Sequence, residues 1–342
     1  MRIEKVAWKE LRTIMDNLTK DNKYLTPYQT FEFLDKIKNG ANLHRFREAK
    51  KYKLHCYVVY KEEKAVFVAP LLVNDNERRL YLLGEFSSVG HLDFIYNSHL
   101  STKDFSNILQ LVFSNYNGYV FCCDRISQFS LTYLFLKEKN ITPTEKEICV
   151  KIDVNNYDEW HKALSKSCRQ NLRTSYNRMN TDGVGLTFNM YVNSAPPQKA
   201  ISDNIKLFSK RILEHTKLSK VLLLPMIVFK KTETFGKALY SSHNNIFASV
   251  YINNKLAASL NGLIANDGRA IITRLSIETK LGKYSPGGLL INETIKEICD
   301  KYSFIKSIDL SRGDEPYKYT YGGMEHYNYS YQIKVSNLLL RF

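Results

Sequence analysis

Residues Lys283-Tyr284-Ser285-Pro286-Gly287-Gly288-Leu289 set a cation, a turn and two residues without side chains immediately ahead of an amphipathic run. That run carries Ile291, Ile295, Ile298 and Tyr302 at spacings of four, three and four, which predicts a helix. A helix start leaves backbone N–H groups without internal partners, and the macrodipole adds partial positive charge there. Glycines at 287 and 288 let an anion come close to that backbone, and Lys283 adds a full charge at the rim. The predicted chemistry is phosphate or diphosphate binding by Lys283, Tyr284, Ser285, Gly287, Gly288 and Leu289. The competing account is punctuation, since Pro and Gly open many helices that bind nothing. The segment is not a Walker loop, because Lys and Ser/Thr do not follow the glycines, and it contains no G-x-G-x-x-G.

The flanking runs say what must position this turn. Ala270 to Ile277 is β-rich, and Phe304 to Leu310 alternates as a second strand does. The unit is strand, glycine turn, helix, strand, and a right-handed crossover puts the turn at the carboxyl edge of the sheet. Two further strands, Ile246 to Ile252 and Lys255 to Ala265, join at Asn253-Asn254. The first half repeats the order. His55 to Tyr60, Ala65 to Val73 and Arg79 to Leu83 read as strands, Phe105 to Phe113 as a helix, and Tyr119 to Cys123 as a buried strand. Between its third strand and its helix lie Gly84, Ser87-Ser88 and Gly90-His91-Leu92-Asp93, with no glycine pair feeding a helix. The prediction is an α/β (α+β) chain of two similar lobes, 1–150 and 151–342, each a mixed, mostly antiparallel sheet flanked by helices. Only the second keeps the anion cradle; the first is scaffold or one wall of an acceptor cleft.

A third feature precedes the second lobe. Asp158 and Glu159 suit a helix start, and one helix is expected to run to about Met179 with Leu164, Cys168, Leu172, Tyr176 and Met179 on its apolar side. Lys162, Lys166, Arg169, Arg173 and Arg178 are interrupted by no acid. A solvated basic face is one reading. The other is that Arg169 and Arg173, one turn apart, hold a phosphate or an acidic substrate through forked hydrogen bonds.

Composition bounds the rest. A chain of 342 residues, 44% hydrophobic and 24% charged, can bury a sizeable interior in two domains. Met1-Arg2-Ile3-Glu4 leads into a mixed-charge segment with no signal-like apolar stretch, and the longest apolar run, Val221 to Phe229, is broken by Pro225. A soluble cytoplasmic chain is expected, with its six cysteines as free thiols. The eight histidines show no ligand-like pairing, so no metal is assigned. The net charge of +15 suits anionic partners, whether a nucleotide, nucleic acid or an acidic membrane surface, without choosing among them.

Taken in order, Ser165-Lys166-x-x-Arg169-x-Asn171-Leu172-Arg173, Tyr284-Ser285-Pro286-Gly287 and Asp309-Leu310-x-Arg312-Gly313-Asp314-Glu315-x-Tyr317-Lys318 resemble the CelD/BcsL-type (BioF2-like) acetyltransferase domain of the GNAT superfamily. The resemblance implies a tandem GNAT-like fold, shared in outline with peptidoglycan-bridge aminoacyltransferases, and acetyl-CoA or another acyl-CoA as co-substrate. Its pyrophosphate would rest at Lys283 through Leu289, although Ser-Pro-Gly-Gly departs from the superfamily's commoner Arg/Gln-x-x-Gly-x-Gly/Ala. N-acyl transfer needs a base for the amine, polarisation of the thioester carbonyl and a proton for the leaving thiolate. Candidate bases are Asp309, Asp314 and Glu315; candidate acids are Tyr317, Tyr319 and Tyr321. Arg169, Arg173, Arg312, Tyr317 and Lys318 are candidate acceptor-binding residues. Against this, Arg312, Asp314 and Lys318 would equally serve as a salt-bridged loop that shapes the cleft. The resemblance further implies an amino sugar or small amine as acceptor, a role in polysaccharide or envelope synthesis, and peripheral association with membrane-bound glycan machinery. Nucleic acid enters only under the alternative of aminoacyl transfer from charged tRNA. A non-catalytic GNAT-like binding protein is the third reading.

Overall fold

Apolar and β-branched runs become strands, and i/i+3/i+4 stripes become helices, through most of the chain. The computed structural model describes residues 1–20, 22–40, 51–85, 90–215, 239–240 and 243–340. Ser87-Ser88 and the run Val221 to Phe229 lie outside the described residues. The chain groups into two units, Met1–Ile148 with His326–Phe342, and Cys149–Glu325.

The first unit contains β1 (Arg2–Val6), α1 (Leu11–Thr19), α2 (Phe31–Gly40), β2 (Lys53–Lys61), β3 (Lys64–Asn74), β4 (Arg79–Leu82), β5 (Ile95–Tyr96), α3 (Thr102–Phe113), β6 (Val120–Ser127) and α4 (Leu131–Glu138). β1 to β4 pair antiparallel in sequence order, and β5 adds to β3. After α3 crosses over, β6 pairs parallel with β4 from Arg79↔Val120 to Tyr81↔Cys122. Ser101 caps α3 by accepting from the Asp104 N–H at 3.0 Å.

The second unit repeats that order. β7 (Glu145–Asp153) enters it at Cys149, followed by α5 (Tyr157–Ala163), α6 (Lys166–Thr181), β8 (Leu186–Val192), α7 (Gln198–His215), β9 (Asn245–Ile252), β10 (Lys255–Ile264), β11 (Arg269–Ile277), α8 (Pro286–Lys301), β12 (Ser307–Arg312) and α9 (Pro316–Thr320). β8 to β11 are antiparallel neighbours, α8 crosses over, β12 runs parallel to β11, and residues 149–153 of β7 flank β12 antiparallel. Leu289, Leu290, Ile295 and Ile298 of α8 are fully buried in one core with Ala248, Val250, Leu260 and Ile272 of the sheet and with Cys168 and Leu172 of α6. Each fully buried aliphatic side chain contributes about 1.5–3 kcal/mol, enough to fix the helix on the sheet.

The expected fold class is therefore what the structure shows: mixed, mostly antiparallel sheet structure flanked by helices in both units. Two expectations need correction. Residues 326–342 group with the first unit and not with 151–325, because β13 (Met324–Lys334), followed by α10 (Val335–Leu340), pairs antiparallel with β6 from Asn328↔Ser127 to Lys334↔Val120. The single helix expected from Asp158 to Met179 is two. Leu164 is extended (ψ 149), and the Ser165 hydroxyl accepts from the Cys168 N–H at 3.1 Å, which starts α6 afresh. The six cysteines are free. Among the described residues no helix is long and apolar enough to cross a membrane, and no group of three or more His, Cys, Asp or Glu is placed to hold a metal ion.

Candidate functional site

The site lies in the second unit, where β11 and β12 part. Their parallel register runs only from Arg269↔Ser307 to Ile271↔Asp309. Beyond it β12 is distorted at Ser311, whose φ is 57° and whose hydroxyl donates to the Ile272 carbonyl at 2.7 Å. β11 continues to Ile277 without a registered partner in β12.

A 3-10 segment, Thr279–Tyr284, leads from β11 to Ser285, which is left-handed (φ 49°, ψ 53°), and Pro286 opens α8. Pro286 has no N–H to lose at a first helical position. Leu289 donates to the Ser285 carbonyl at 3.1 Å, whereas the amides of Gly287 and Gly288 have no acceptor among the described residues. The Ser285 side chain does not cap them. Two orphan amides at a positively poled helix start fit an anionic group such as a diphosphate.

Packing also bears on the two glycines, and more severely on Gly288. A Cβ on Gly287 would lie 2.6 Å from the Ile277 Cδ1, and one on Gly288 would overlap the Tyr321 hydroxyl. Tyr321 is thereby brought onto the first turn of α8, with its backbone carbonyl held by Trp160 Nε1 at 2.9 Å. Burial pushes its phenol up to about 12, so it is a proton donor at neutral pH.

The remaining predicted cradle residues are differently employed. The Lys283 ammonium pairs with Asp182 at 2.8 Å, and the Tyr284 hydroxyl donates to the same carboxylate oxygen at 2.8 Å. Lys283 is still 59% exposed, but its charge at the rim is shared with an acid. Arg178 donates to the Lys283 carbonyl, fixing the segment from behind. Leu289 is wholly buried in the core.

The segment after β12 behaves as a clamp. Lys318, only 2% exposed, donates to the carbonyls of Ser311 (3.1 Å), Arg312 (2.6 Å) and Gly313 (2.9 Å) and pairs with Glu315 at 3.0 Å. It is therefore spent on the chain reversal rather than on an acceptor. Burial raises the Glu315 carboxyl, but the Lys318 hydrogen bond and charge outweigh it, and the net direction is down. Asp309 is 0% exposed; it accepts from the Ser311 N–H at 2.8 Å and faces Arg269 at 3.6 Å, which makes it a structural acid. Asp314, Arg312 and Tyr317 are exposed along the same segment, and the Tyr319 hydroxyl donates to Glu325 at 2.9 Å.

Arg169 and Arg173 come together on a cavity of about 490 Å³ between α5, α6 and α8. Its lining includes Tyr157, Tyr176 and Asn292, none of which was singled out from sequence as a site residue. Asn292, a polar residue among the buried positions of α8, was the available signal.

A family model described as an acetyltransferase (GNAT) domain matches residues 232–319, the stretch that contains β9 to β12 and the whole of α8. No curated protein matches the sequence. Among solved structures, FemX is similar with a TM-score of 0.63 at 10% identity, covering 99% of both chains. A conserved protein of unknown function from Bacteroides thetaiotaomicron VPI-5482 is similar at 0.57 and 11% identity, covering 98% of this chain and 100% of that one. L-PGS from Bacillus licheniformis is similar at 0.51 and 14% identity, covering 94% and 97%. Identities this low speak for the fold alone. Residues 232–319 thus carry the match to a GNAT acetyltransferase domain, within a fold similar to that of FemX over nearly the whole chain.

Proposed function

We propose that the second unit transfers an acyl group from an acyl-CoA, acetyl-CoA in the simplest case, to the nitrogen of an amino sugar or another small amine. The observation that carries this reading is the helix start itself. Two amides without acceptors, at Gly287 and Gly288, stand beside the gap between β11 and β12, with a protonated Tyr321 hydroxyl on the same turn. The thioester supplies the acyl group. In transfer, the N–C bond forms, the C–S bond breaks, and the departing sulfur takes a proton, for which Tyr321 is the donor. The stretch of β11 beyond Ile271, where its parallel register with β12 has ended, is where a backbone N–H would polarise the carbonyl. Asp309 and Glu315 are held by Arg269 and Lys318, so Asp314 is the candidate base among the named carboxylates.

A small amine feeding polysaccharide or envelope synthesis in the cytoplasm, with peripheral association at glycan-building machinery, is the setting this chemistry suits. Calorimetry with acetyl-CoA is expected to show saturable binding that Lys283→Glu weakens. Thiol release from acyl-CoA with a pooled amine panel is expected as well. No binding by the wild-type chain would overturn the reading. Aminoacyl transfer from charged tRNA is the second reading, favoured by the net charge of +15 and the basic side of α6. Salt-sensitive tRNA binding unaffected by CoA would put it first. Amine-dependent thiol release would exclude a non-catalytic binding protein.

A further inference from the structure

The cavity between α5, α6 and α8 has features that acyl transfer at the helix start does not require. Lys166, Arg169 and Arg173 lie on successive turns of α6 and line one wall, and no carboxylate lines the cavity. Arg169 is locked by its Nη1, which donates to the Lys162 carbonyl at 2.7 Å and to that of Leu164. Lys166 and Arg173 have neither ion-pair nor hydrogen-bond partners among the described residues. The floor is held rigid by a relay: Tyr157 donates to Asn292 at 3.0 Å, Asn292 donates to the Tyr176 hydroxyl at 3.0 Å, and Tyr176 donates to Glu293. Beside it the Tyr157 ring stacks with His161, centroids 5.8 Å apart and planes 23° apart. Leu172 lines the cavity and would lie 3.7 Å from a Cβ on Gly288, so the inner edge adjoins the helix start.

We propose that this cavity is a nucleoside-phosphate site, with Lys166, Arg169 and Arg173 taking the phosphate and the Tyr157–His161 stack receiving a ring. Three cations unbalanced by an acid call for more negative charge than one carboxylate brings, since a phosphate monoester carries nearly two charges and three acceptor oxygens. A space of about 490 Å³ exceeds what inorganic phosphate fills and is of the size that takes small organic ligands. The stacked aromatic wall accepts any base through its π-face. The nucleotide belongs either to the acyl-CoA, through its 3′-phosphate, or to an acceptor presented as a nucleotide sugar. Only that choice rests on the function proposed above.

The test is calorimetry on the full chain with adenosine, adenosine 3′,5′-bisphosphate, UDP-N-acetylglucosamine and acetyl-CoA, using wild type, Arg173→Gln and Lys166→Gln. Both substituted residues are exposed, so melting temperatures are expected to stay unchanged; Arg169 is left intact because it ties down the end of α5. At least one nucleotide is expected to bind more than tenfold tighter than adenosine, and each variant to weaken it about 10- to 100-fold, the loss of a charge-assisted hydrogen bond. Sensitivity confined to adenosine 3′,5′-bisphosphate and acetyl-CoA assigns the site to the donor. Sensitivity confined to UDP-N-acetylglucosamine, whose nitrogen already carries an acetyl group and which therefore stands in for a transfer product, assigns it to the acceptor. Nucleotides that bind no better than adenosine, or variants that bind like wild type, overturn the proposal. Acetyl-CoA binding indifferent to both substitutions, with no other nucleotide bound, removes this site and leaves the transferase reading standing. Arg173-dependent binding of UDP-N-acetylglucosamine with no acetyl-CoA binding does the reverse.

Discussion

Replacing Gly288 by alanine sets two effects of opposite sign against each other. In a helix, alanine is favoured over glycine by up to about 1 kcal/mol. At this position the new Cβ overlaps the Tyr321 hydroxyl and lies 3.3 Å from its Cζ and 3.7 Å from the Leu172 Cδ2. Tyr321 cannot swing aside freely, because its ring is packed against the core and its carbonyl is tied to Trp160. Overpacking of this kind costs about 1–3 kcal/mol. The net expectation for Gly288→Ala is a loss of about 1–2 kcal/mol. Tyr321→Phe removes the oxygen and leaves a 3.3 Å approach that a small shift relieves. In that background Gly288→Ala is expected to be neutral or slightly stabilising, giving a coupling of about 1–3 kcal/mol between the two positions. Urea denaturation of the four proteins measures it. An equal effect of Gly288→Ala in both backgrounds, or a stabilised single variant, would refute the packing argument. Gly287→Ala is the control. Its nearest neighbour is the terminal methyl of Ile277 at 2.6 Å, at the far end of a flexible side chain, so a change within about 0.5 kcal/mol is expected.

Lys318→Met leaves three carbonyls that lose a donor together, and a loss of about 3–5 kcal/mol is expected in the same denaturation assay. A cost below about 1 kcal/mol would show that the ammonium does not hold the reversal. In the first unit, buried Asp93 accepts from the Phe94 N–H (2.7 Å), the Tyr96 hydroxyl (3.0 Å) and Thr132, yet burial pushes its carboxyl up to about 6. The unfolded chain releases that proton near pH 4. The folded state therefore binds the extra proton between about pH 4 and pH 6, and stability falls as pH rises through that window, by on the order of 3 kcal/mol. Asp93→Asn is expected to flatten this slope relative to wild type. Identical pH profiles of urea midpoint for the two proteins would count against it.

The strands and the crossover helices were legible because their signals are local. Alternation in Lys53–Lys61, β-branching in Lys64–Asn74 and the isoleucine stripe of Pro286–Lys301 each extend over a few turns or pleats of one segment. The break between α5 and α6 was also written locally, in Ser165, whose capping habit competes with a helix that its neighbours would continue. Relations between distant residues were not legible. Asp182, 101 residues from Lys283, turns an expected free cation into half of an ion pair. Nothing near Gly288 in sequence announces that Tyr321 will lie on it. Lys318 resembled a ligand because a surface lysine and a buried one are the same letter; only burial shows that its donors are already used. The surroundings of Asp309 were hidden for a related reason: alternation places it opposite Ile308 and Leu310, but that face is buried as well, beside Arg269.

The pairing of β13 with β6 bears on how the polypeptide is completed during synthesis. Strand partners at positions 120–127 and 328–334 are separated by the entire second unit. As the chain leaves the ribosome, residues 149–325 have emerged before the strand that pairs with β6 is complete. The earlier-made unit must meanwhile wait with one edge of β6 uncovered until residues 328–334 have emerged. The unit begun first is thus finished after the one that follows it, and a chain stopping shortly before residue 328 would leave an exposed strand edge on β6 with the segment that carries the cradle already present.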